Sequence, residues 1–87
     1  MQLMEGSVVR SMAGHDAGIF AVIVGSESGW PLIADGNGRK LEAPKRKNPK
    51  HLTDTGEQID LSAVHSNKQL RRLLRPFRNG ETGPELE

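Results

Sequence analysis

Twelve of the 87 residues are lysine or arginine, and all but Arg10 fall into two clusters. Arg39, Lys40, Lys45, Arg46, Lys47 and Lys50 share one twelve-residue window, in which Glu42 is the single acid. Lys68, Arg71, Arg72, Arg75 and Arg78 share a second stretch with no acid at all. The formal net charge is nevertheless only +1, because Asp54, Glu57 and Asp60 lie between the clusters and Glu81, Glu85 and Glu87 follow the second. Cations gathered in this way neutralise phosphates and release their counterions, so the chemistry they suit is polyanion binding. Pro44 and Pro49 bracket residues 45–48 and hold them extended, which lowers the cost of ordering those side chains on a ligand.

Other chemistries lack their residues. His15, His51 and His65 are dispersed, with neither an i, i+4 pair nor a carboxylate at the spacing a metal or acid-base site needs. Gly36, Asn37 and Gly38 are followed by Leu41 rather than by the third glycine of a dinucleotide fingerprint. There is no P-loop, and no Ser or Cys stands in a nucleophile motif. No enzyme activity, metal or cofactor is expected. Asp16 and Asp35 are read as turn formers, since short side-chain oxygens bond nearby backbone N–H groups. The absence of cysteine suits a reducing compartment. The opening residues lack a basic start and apolar run, and no stretch approaches the roughly 18 apolar residues of a membrane span. A cytoplasmic protein without a membrane partner is therefore expected.

The elements that must position these groups are short. Residues 7–11, with Val8 and Val9 between polar neighbours, read as a first strand. A glycine-bracketed loop from Gly14 to Gly18 leads into the most apolar run, residues 19–24, expected to be a central strand. Residues 30–34 read as a third strand with Pro31 near its start or on an edge. Asp35, Gly36, Asn37 and Gly38 predict a tight reversal into a fourth strand at 39–42, and a fifth is expected near 51–53. Ser66 and Gln69 have the spacing of a capping box, which starts a helix. Leu70, Leu73, Leu74 and Phe77 form its apolar stripe opposite the bases, and Pro76 is expected to end the regular helix at Leu74 or Arg75. Trp30, Phe20 and Phe77, the only aromatics, all lie in segments expected to be core. Shape and backbone recognition of folded RNA therefore fits better than stacking on single strands.

The Gly14 to Gly18 loop, preceded by Val8 and Val9 and followed by a Val-rich strand, resembles the KOW motif of ribosomal and transcription-elongation proteins. Arg39, Lys40 and Leu41, then the run from Lys45 through Arg46, Lys47, Asn48, Pro49, Lys50 and His51 to Leu52, are similar to the basic segment of KOW-type large-subunit ribosomal proteins. The likeness covers roughly residues 5–55, and the C-terminal helix is similar to that of their small bacterial relatives. It implies a mainly β fold, a small SH3-like barrel of about five strands over 5–55. A connecting segment and amphipathic helix over 56–78 and a flexible tail over 79–87 follow. It also implies non-catalytic binding of structured or ribosomal RNA in a translation-related role. The site expected is Arg10, Gly14, His15, Arg39, Lys40, Lys45, Arg46, Lys47, Lys50 and His51, with Arg71, Arg72 and Arg75 as a second patch. A monomer is expected, with ribosomal proteins as further partners. The alternative is a protein-interaction module docking onto ribosomal or transcription machinery, with the leucine stripe serving a partner.

Overall fold

The long apolar run from Phe20 to Val24 is explained by burial on both sides, since a strand covered on both faces cannot alternate. A computed structural model describes residues 3–78, and the predicted tail at 79–87 lies outside the described residues. Strand β1 (Ser7–Ser11), β2 (Phe20–Glu27), β3 (Trp30–Ala34), β4 (Lys45–Arg46) and β5 (Leu52–Gln58) form one antiparallel sheet in the order β4-β3-β2-β1-β5. Helix α1 (Asn67–Arg78) follows.

The two faces of the sheet carry separate cores. Val8, Val22 and Ala34 are fully buried against Leu70 and Leu74 of α1, with Ile59, Leu61, Val64 and Phe77 packed around them. Val9, Ala21, Ile23 and Ile33 point the other way, where Leu3 and Leu52 cover them. On that second face lies an open cleft of about 510 Å³, reached by Ile23 and Pro31 from one side and by Leu52 and Asp54 from the other. Register shifts between Ile23 and Gly25 of β2, and between Ser7 and Val9 of β1, interrupt the ladders. Such bulges bend and twist strands. The bend lets β3 and β5, with two strands between them in the sheet, line one cleft, although β4 and β5 are at its opposite edges.

The fourth strand is not where it was expected. The turn forms, with Asp35 Oδ1 accepting the N–H groups of Asn37 and Arg39 at 2.9 Å each. Beyond it the backbone docks on the helix instead of on a strand. Leu41 N donates to Asn67 Oδ1 at 2.7 Å, and Arg71 Nη1 donates to the Gly36 carbonyl at 2.6 Å. The Leu41 N–H used in this way is lost to a ladder, and pairing resumes only at Lys45 and Arg46. Gly36 has φ +80, and a Cβ there would collide with the Asn67 carbonyl and lie 3.1 Å from Arg71 Cγ. Gly36→Ala is therefore expected to cost more than the ~1–2 kcal/mol of left-handed backbone alone. Gly18→Ala, at φ +89 with nothing within 4 Å, pays only that backbone cost, so a thermal melt of the two variants separates collision from conformation.

The helix starts as expected. Ser66 Oγ accepts from Gln69 N at 3.1 Å, and Gln69 Oε1 accepts from His65 N at 2.7 Å, so the return bond reaches one residue before the cap. Its end corrects the expectation from Pro76, because α1 continues to Arg78. Phe77 holds that last turn by setting its ring 5.9 Å from the Phe20 ring. Among the described residues, no helix is long and apolar enough to cross a membrane.

Candidate nucleic-acid interface

The proline-bracketed segment does not present its bases in one row, because neighbouring strand residues point to opposite faces. Lys45 stands opposite Ile33, hence on the cleft face, and is half-buried. Arg46 stands opposite Leu32, on the other face and exposed, with its guanidinium 5.3 Å from the Trp30 ring centroid. Lys47, expected among the RNA contacts, is turned inward. It is only 7% exposed, and its Nζ donates to the Ala13 carbonyl at 2.9 Å. Gly14 makes room for this contact, since a Cβ at that position would sit 3.3 Å from Lys47 Nζ. Lys47 thus ties the β4 end of the sheet to the loop after β1. A buried charge-assisted bond of this kind is worth about 1.5–3 kcal/mol, so Lys47→Met is expected to lower the unfolding midpoint by roughly 10 °C while leaving RNA affinity of the folded protein unchanged.

Two sequence-distant turns are brought together at this corner. The 3₁₀ turn Gly14–Asp16 follows β1, and the 3₁₀ turn Pro49–His51 precedes β5. Met12 N donates to the His51 carbonyl at 2.8 Å, alongside the Lys47 bond to Ala13. Asn48 Oδ1 caps the second turn by accepting from Lys50 N at 2.9 Å. His15, Lys50 and His51 are exposed there.

The remaining predicted residues belong to the helix side. The contacts of Asn67 and Arg71 carry the 36–42 loop to the start of α1, which places exposed Lys40 and half-buried Arg39 in a loop docked on the helix. Asn67 Nδ2 also donates to Glu42 Oε1 at 2.8 Å. That hydrogen bond, a backbone hydrogen bond of Glu42 itself and the nearby Lys40 charge hold the Glu42 carboxyl below its usual range. Arg10 is exposed, with its guanidinium 5.7 Å from the Phe20 ring, and Phe20 meets Phe77, so Arg10 adjoins the C-terminal end of α1.

Along α1, Lys68, Arg72 and Arg75 are exposed and recur at i, i+4 and i+7, on one face at intervals of about 4.5–6 Å along the axis. Arg78 is exposed as well. Arg71 is half-buried, with a donor already on the Gly36 carbonyl. The helix side therefore carries Arg10, Lys40, Lys68, Arg72, Arg75 and Arg78, a broader cationic surface than the corner at Lys50. Lys68 and Arg78 were omitted from the sequence-based site. Their helical spacing from Arg72 and Arg75 was the signal that could have included them.

No protein-family model matches the chain, and no curated protein matches it.

Proposed function

We propose that this protein binds structured RNA without catalysis, through the cationic face of α1 and the corner formed by the Gly14–Asp16 and Pro49–His51 turns. The observation that carries the reading is the exposed row of Lys68, Arg72 and Arg75 on a helix with no acid, with Leu70, Leu74 and Phe77 turned into the sheet. Ordinary soluble helices intersperse acids with bases, which gains i, i+4 pairing, and this helix forgoes it. A rigid cationic face of this kind suits phosphate groups held by folded RNA.

The finer architecture belongs to the same proposal. A KOW-type SH3-like barrel is supported by the meander order with β5 returning beside β1, by the glycine loop between β1 and β2, and by the Lys47 bond to Ala13. A translation-related role in the cytoplasm, with ribosomal RNA as ligand, follows from the KOW resemblance. Leu73, 41% exposed beside the cationic face, favours a second reading in which the helix also docks a protein.

Salt separates the two. Affinity for a structured RNA should fall linearly with log salt, with a slope near one per phosphate contact. Binding insensitive to salt but abolished by Leu73→Asp would replace the RNA reading with the protein one.

A further inference from the structure

Trp30 was expected to pack in the core or at its rim, and it is 40% exposed. It sits at the first position of β3, directly after a two-residue reversal in which both Ser28 (φ 53) and Gly29 (φ 83) adopt left-handed backbone. Two consecutive positive φ angles are what the tightest hairpins require, so the indole stands on a rigid tip rather than a loose loop. Across the ladder, Glu27 is its direct neighbour, and diagonally Arg46 lays its guanidinium over one face of the ring, 5.3 Å from the centroid. The Glu27 carboxylate disfavours a phosphate over the indole, whereas Arg46 favours one beside it.

Resting on the RNA-binding reading, we infer that Trp30 and Arg46 form a stacking platform for one unpaired nucleobase. The indole face that Arg46 leaves open takes the base, and the Arg46 guanidinium on the other face takes the adjoining phosphate. The RNA class this selects is a duplex interrupted by a bulge or closed by a loop, because only there is a base unstacked and available. A blunt duplex keeps its bases inside the helix and offers Trp30 nothing. Recognition thus combines sequence-tolerant stacking at the hairpin tip with phosphate contacts elsewhere.

Trp30 is the chain's single tryptophan, so its emission reports on this site alone. The experiment titrates the full chain with an RNA hairpin bearing an adenine-rich loop and with the blunt duplex of the same stem. Wild type, Trp30→Phe and Trp30→Ala are compared, with thermal melts to establish folding. The hairpin is expected to quench Trp30 emission, and the duplex to bind without quenching. Trp30→Ala should weaken hairpin binding about tenfold, Trp30→Phe should restore most of it, and the salt slope should stay unchanged in both. Equal hairpin affinity in wild type and Trp30→Ala, or saturation without quenching, overturns the platform while salt-dependent binding keeps the RNA reading intact. Failure of both RNAs to bind at low salt overturns both.

Discussion

Replacing Lys68, Arg72 and Arg75 together by glutamine is expected to weaken structured-RNA binding by roughly two to three orders of magnitude near 0.1 M salt. Each cation that neutralises a phosphate adds roughly one unit to the slope of log affinity against log salt, so the triple variant should lose about three units. The three side chains are exposed and none contributes to the cores, so the fold should survive, as circular dichroism would register. Arg71 is left out deliberately. Its guanidinium holds the Gly36 carbonyl, and a loss there would mix destabilisation with lost contact. An unchanged slope in the triple variant would remove α1 from the interface and leave only the corner around Lys50.

The second large effect is on stability. Leu74→Ala is expected to cost about 2–5 kcal/mol, because a fully buried leucine is truncated where little can collapse to fill the space. Leu74 is packed with Leu70 against Val8, Val22 and Ala34, in one of only two small cores among the described residues. For a domain of this size that is a substantial fraction of the whole, equivalent to a fall in unfolding midpoint of roughly 10–30 °C. Leu73→Ala, at an exposed position of the same sequence stripe, should change stability by no more than about 0.5 kcal/mol. Calorimetry of the pair measures how much of the leucine pattern is spent on the sheet. A small effect at Leu74 would mean that the helix does not hold the sheet.

Local chemistry made much of this chain readable in order. The Val8 and Val9 strand, the central run into Val24 and the third strand from Trp30 to Ala34 follow from side-chain patterning, which depends on near neighbours. The capping of α1 by Ser66 and Gln69 is equally local. Both basic clusters are plain in composition, since charge needs no fold to be counted. Their use was not readable, because which way a cation points is settled by strand register and by distant acceptors. Lys47 follows Arg46 in sequence yet turns inward to the Ala13 carbonyl, 34 positions away along the chain. The segment at 39–42 carried a good turn and strand pattern, but Asn67 accepts from Leu41 N and Arg71 donates to the Gly36 carbonyl of the turn before it, partners that a short-range pattern does not contain. Trp30, at a strand start beside Pro31, reads as a core or rim packing residue, and the hairpin tip leaves it 40% exposed. Periodicity and capping belong to neighbours along the chain, whereas exposure and hydrogen-bond choice belong to whatever folding brings alongside, and it was the latter that turned Lys47 inward and left Lys68, Arg72 and Arg75 facing out.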